Sequence, residues 1–160
     1  MAEKGQLDSA VRDFIWNIVE IHSQLEAIHK SWAEMLGITE PQWLILMAID
    51  DLDKGRGVSG IAVANKLRIH PAFVTNQTKR LEKLEFLARE TSSEDARFLQ
   101  ISLTEKARAE ISRLSNKREA VNSTMFSGLD EESLNYLNKR LSSIAKDSRL
   151  ASQKLSIGIL

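Results

Sequence analysis

The most constraining stretch of this chain lies between Ser59 and Leu103. Ser59 can N-cap a short helical segment at residues 60–67, and Arg68-Ile69 reads as a tight turn. His70-Pro71 opens a second helical segment running to about Leu84. Its proline falls in the first turn, where the missing N–H costs nothing. Val74, Leu81 and Leu84 lie on one side of that segment and are expected to face a core. Residues 86–91 form a strand candidate, Ser92-Ser93-Glu94-Asp95 a turn, and residues 97–103 alternate as a returning strand. Two short helices about a tight turn make a helix-turn-helix pattern, which by itself fits many helical hairpins.

A β-hairpin directly after the second helix is what distinguishes a winged helix. The flanks are helical as well. Phe14, Ile18, Ile21, Leu25, Ile28, Trp32 and Met35 recur at steps of three and four, predicting one long helix over residues 7–36 that ends at Gly37. Thr39-Glu40-Pro41-Gln42 is a capping box for a second helix reaching about Leu52. Thr104 caps a fifth helix expected to run unbroken to about Phe126. Asp130 caps a sixth, with Glu131 and Glu132 in its first turn. The expected fold is mainly α with a small β-hairpin wing. A winged helix-turn-helix at 38–103 sits between helical dimerisation segments at 7–36 and 104–160, all in one domain of 160 residues.

Charge refines this. The chain holds 22 basic and 22 acidic side chains. The stretch from Lys54 to Arg97 nevertheless has nine basic residues against five acidic, a local excess of +4 that the remainder cancels. Such a stretch is either the footprint of a polyanion-binding module or a solvated mixed-charge surface. The absence of cysteine excludes disulfides, thiol nucleophiles and cysteine–zinc sites. No nucleophile–base set, phosphate loop or metal-ligand spacing is visible, so neither an enzyme nor a cofactor or metal is expected. No apolar run is long enough to span a membrane and the first residues lack a secretory pattern, which points to the cytoplasm.

The order of parts resembles the MarR family of bacterial transcription regulators. The resemblance is carried by Ile38-Thr39-Glu40-Pro41-Gln42-Trp43, Val63-Ala64-Asn65-Lys66-Leu67, Leu81-Glu82-Lys83-Leu84, the wing motif Asp95-Ala96-Arg97 and the exit Leu103-Thr104-Glu105-Lys106. It implies a homodimer on a pseudo-palindromic operator in double-stranded DNA, usually a repressor released by a small phenol or aromatic acid. The chain departs from the family where Arg68, Glu85 and Ala107 replace frequent glycines, so the turns at Arg68 and Glu85 are expected to be built differently or to carry mild strain. Gln77 and Thr78 stand where apolar residues are common.

Within that frame the second helix of the pair is a recognition helix. Its outer face carries Ala72, Phe73, Thr75, Asn76, Lys79 and Arg80. Asn and Arg can make bidentate contacts to adenine and guanine, Thr and an aromatic edge can meet a thymine methyl, and Lys79 suits a phosphate. Arg97 on the hairpin can reach a minor groove, with Asp95 orienting it, or the two form a surface pair that stiffens the turn. For an effector, Arg118 falls inside an apolar stripe of the fifth helix and needs an anionic partner. That partner is either a ligand carboxylate, with His22 or His29 donating and Trp32, Trp43 or Met47 flanking a ring, or an acid of the protein. The histidines are equally readable as core or interface residues. The alternative function is an interaction module whose winged helix binds protein.

Overall fold

A computed structural model describes residues 2–91 and 99–159. The chain divides into two compact units, residues 1–115 and 116–160, and each is described by itself.

The first unit opens with α1 (Ala2–Met35). The chain reverses at Gly37, whose φ of +68° lets the amides of Gly37 and Ile38 reach back to Glu34 and Ala33. Helix α2 (Glu40–Leu52) starts at Thr39, whose amide donates to Gln42 Oε1 at 3.0 Å, the glutamine arm of the capping box. Trp43, Ile45, Leu46 and Ile49 of α2 are buried, as is Trp32 of α1, so these two helices form the base of the core.

Strand β1 (Val58–Ser59), which has no sequence signal of its own, follows a loop built on Asp53. Asp53 Oδ1 accepts from the amides of Gly55, Arg56 and Gly57 at 2.8–3.0 Å. Gly57 has φ +71°, and a Cβ there would lie 3.0 Å from Gln100 Cβ, so a side chain at this crossing is strained and crowds the neighbouring strand. Helix α3 (Gly60–Leu67) is capped by Ser59 Oγ, which accepts from Ala62 N, and α4 (Pro71–Lys83) follows. Strands β2 (Leu87–Thr91) and β3 (Leu99–Leu103) pair antiparallel from Leu87↔Leu103 to Thr91↔Leu99. Strand β1 adds to the free edge of β3 at Val58↔Ile101, giving the order β1-β3-β2.

The expected single fifth helix is two helices. Helix α5 (Glu105–Arg113) ends where Leu114 N bonds to Ile111 O, a tightened last turn, and α6 (Ser115–Met125) begins after it. Leu103, Ala107, Ile111 and Leu114 complete the core of the first unit, whereas Met125 at the far end of the same stripe is exposed. The break therefore sits where the buried stripe ends. In the second unit, α7 (Glu131–Ser156) is capped by Asp130 Oδ1, which accepts from Ser133 N at 2.8 Å.

Two turns use left-handed residues that are not glycine: Arg68 (φ 58°) between α3 and α4, and Glu85 (φ 61°) after α4. Both turns keep the geometry that glycine favours, and the Cβ raises their energy. Arg68→Gly should therefore raise stability by about 0.5–1 kcal/mol. Gly57→Ala should lower it by about 1–3 kcal/mol. Urea unfolding midpoints of the two variants check both signs.

Candidate nucleic-acid interface

The site is built on α4. His70 precedes the helix and its ring Nδ1 accepts from Ala72 N at 3.2 Å, an N-cap made by a histidine. Val74, Thr78 and Leu81, spaced by four and three, are fully buried and set the inner face. Leu84 does not join them. It is the C-cap residue and 43% exposed, because the helix has ended and its side chain leaves the buried row.

The opposite face is open. Ala72, Phe73, Thr75, Asn76, Lys79 and Arg80 are all exposed, on the side expected to read bases. Thr75 Oγ1 donates back to Pro71 O at 3.0 Å, which satisfies its hydroxyl within the helix. Lys79 and Arg80 have no hydrogen bond or ion pair among the described residues. Several other cations of this unit are committed to the framework. Lys66 pairs with Asp51 at 2.6 Å, Arg89 with Glu82 at 3.1 Å, and Arg113 with Glu110 at 2.7 Å. Lys79 and Arg80 are thus left open to an external anion on the exposed face of α4. Asp95 and Arg97, the expected hairpin residues, lie outside the described residues.

The exit motif Leu103-Thr104-Glu105-Lys106 has a definite task. Thr104 Oγ1 donates to Glu85 O at 2.7 Å and accepts from Ala107 N at 3.1 Å, so it caps α5 and ties it to the turn that ends α4. Lys106 Nζ donates to Leu84 O at 2.9 Å, meets Glu85 Oε2 at 3.3 Å and stands over the Phe86 ring at 5.3 Å. The left-handed turn at Glu85 is thereby fixed from α5. Sequence reasoning quoted this motif without assigning the contacts.

It also missed two polar links from the inner side of α4. Gln42 of α2, buried, donates through Nε2 to Gln77 Oε1 at 3.2 Å. Arg89 of β2 donates through Nη2 to Thr78 Oγ1 at 2.7 Å. The usable signal was the pair of polar residues, Gln77 and Thr78, at positions where apolar ones are common.

The expected effector residues differ in exposure. Trp32 and Trp43 are core residues of the α1–α2 pair. Met47 is half-buried on α2, His22 is exposed and His29 half-buried on α1. Burial holds the His29 imidazole below its ordinary value, opposed by the nearby Glu40 carboxylate. Arg118 belongs to the second unit, is half-buried, and already has an interaction within the protein.

Two helices about a tight turn, followed by a hairpin and completed by a third strand, make this part a winged helix-turn-helix. Residues 38–98 match the model of the MarR family, so this stretch carries a MarR-type winged helix. Solved structures agree in fold. The transcription regulator MarR from Oenococcus oeni PSU-1 is 22% identical with a TM-score of 0.68, over 82% of this chain and 98% of that one. MepR of S. aureus, solved as a DNA complex, is 18% identical with a TM-score of 0.71, over 84% and 95%. CouR from Rhodococcus jostii RHA1, solved with p-coumaroyl-CoA, is 19% identical with a TM-score of 0.73, over 83% and 92%.

Thr104→Val, which removes both hydroxyl contacts, should destabilise the protein by about 1–2 kcal/mol in urea unfolding. Because His29 binds its proton more weakly folded than unfolded, stability should fall as pH drops through the ordinary imidazole value of 6.5. Urea midpoints between about pH 7.5 and pH 5.5 should show this loss, and His29→Gln should reduce it.

Proposed function

We propose that the chain acts in the cytoplasm as a homodimer that represses transcription by occupying a pseudo-palindromic operator, and that a small aromatic ligand releases it. The observation that carries the DNA-reading part is the open outer face of α4. Lys79 and Arg80 stand beside Asn76 on that face with no partner among the described residues, whereas Lys66, Arg89 and Arg113 are paired with acids of the chain. A free guanidinium and a carboxamide one turn apart suit bidentate reading of guanine and adenine, and Lys79 suits a phosphate. Arg97 is proposed as the minor-groove contact, oriented by Asp95.

Apolar surface supports the dimer. Leu137, Leu141 and Ile144 of α7 are each 40% exposed, and no residue of α6 or α7 is buried. Trp16 and Ile15 of α1 are also exposed. Helices of this length bearing open apolar faces fit a subunit interface, and a two-fold dimer would match two half-sites. Among the described residues no helix is long and apolar enough to cross a membrane, so these faces suit a protein partner better than a bilayer.

For the effector, an aromatic carboxylate or phenol is the class proposed. CouR is a fold relative solved with an aromatic acyl-CoA. In this chain His29 and Met47, half-buried on α1 and α2, are the proposed ring contacts, with Trp32 and Trp43 as the wall behind them. A ligand there must favour the arrangement that cannot bind DNA, since equal affinity for both arrangements shifts nothing.

In sedimentation at micromolar concentration the protein should run at twice the chain mass. The double variant Leu141→Glu/Ile144→Glu should run as a monomer and lose operator affinity. In gel shifts, Arg97→Ala should bind operator at least roughly tenfold more weakly while remaining dimeric. Asn76→Ala and Arg80→Ala should each cost about 1–3 kcal/mol and relax one operator position. Lys79→Ala should weaken all duplexes alike and reduce the salt slope by about one. Operator binding by Arg97→Ala equal to that of the parent would remove the wing from the proposal. Quenching of tryptophan fluorescence by a panel of aromatic acids tests the effector.

A further inference from the structure

We propose that Arg89 is a positioning residue for operator reading: its guanidinium clamps strand β2 to one turn of α4 and so fixes the hairpin relative to the base-reading face. The inference rests on α4 being the DNA-reading helix. Arg89 reaches two acceptors four residues apart on the same side of α4. Nη2 donates to Thr78 Oγ1 at 2.7 Å, and Nε lies 3.1 Å from Glu82 Oε2. The first is an aligned hydrogen bond. The second is a charge contact without hydrogen-bond alignment, as Nε has no hydrogen-bond partner among the described residues.

Each part is held. Thr78 is wholly buried, and its hydroxyl donates to Thr75 O at 3.1 Å, which leaves its lone pairs for the guanidinium. The Arg89 side chain is only 15% exposed. Its backbone sits mid-ladder opposite Ile101, with two further pairs on either side of it. A shift or tilt of the hairpin against α4 therefore breaks a hydrogen bond to a charged donor that water cannot readily replace. From the opposite direction, the buried Gln42 holds the neighbouring Gln77. Two consecutive residues of the reading helix are thus tied to two different elements.

Arg89 differs in kind from Lys79 and Arg80. Those two are exposed and unpartnered among the described residues, whereas Arg89 is largely covered and spent on α4. It contributes to recognition through geometry, by holding strand β2 at one fixed position against α4. The planar fork is what spans two acceptors, so an ammonium at this position cannot substitute for it.

The test uses the full-length protein and a duplex selected by the parent from a random pool. Thr78→Val keeps the β-branched shape and removes the acceptor. It should bind that duplex roughly tenfold more weakly. Guanine-N7 methylation protection by α4 should persist while hydroxyl-radical protection of the flanking minor groove is lost. Thr78→Ser should restore both, and Arg89→Lys should behave like Thr78→Val. Arg89→Gln should leave the salt slope and the affinity for non-specific duplex unchanged. A slope lower by about one in Arg89→Gln would make Arg89 a phosphate contact and overturn the proposal. So would loss of both protections together, or retention of both, in Thr78→Val and Arg89→Lys alike. If the parent selects no duplex, the DNA-reading assignment of α4 fails, and the clamp fails with it.

Discussion

What α4 can present outward depends on how its inner face is held. Val74, Thr78 and Leu81 are buried without remainder, and this row fixes the rotation of the helix about its axis. A rotation by one residue, about 100°, would bury Thr75 and Lys79, or Phe73 and Arg80, and expose the row. The hydrophobic effect sets that rotation to within the width of the stripe. The hydrogen bonds from Gln42 and Arg89, which are directional, sharpen it.

The same helix is also fixed at its ends. His70 caps its start with a ring nitrogen, and at its finish Lys106 and Thr104 take the carbonyls of Leu84 and Glu85. These carbonyls belong to the helix terminus and would otherwise need water. Drawing their partners from α5 links α4 to the segment that leads out of the winged helix. Any force that reaches α5 therefore reaches the end of α4 through two short hydrogen bonds.

The division of charge gives the interface its character. A net charge of zero says nothing of a polyanion partner, and the local excess of +4 only suggests one. The decisive fact is which cations are already spent. Lys66, Arg89, Lys106 and Arg113 each meet an acid of the chain, and the first, third and fourth are exposed pairs whose stabilising effect is small. Their consequence is to remove those charges from competition, while Lys79 and Arg80 on the outer face of α4 keep theirs.

Local signals in the sequence determined a good deal. The caps at Ser59, Thr104 and Asp130, the proline at the start of α4, and the hairpin strands all follow from neighbours within a few residues, and each formed as expected. So did the outward face of α4, because helical period alone assigns it. Tertiary structure decided what depends on residues far apart in the chain. Strand β1 exists only because β3 offers an edge and Gly57 lets the backbones approach. The fifth helix breaks at Leu114 because the core it was filling ends there. Gln77 and Thr78 gained their meaning from Gln42 and Arg89, 35 and 11 residues away. Periodicity reports which side of a helix is apolar, but a hydrogen bond needs two atoms within about 3 Å along a fixed direction, and only the folded chain sets that distance.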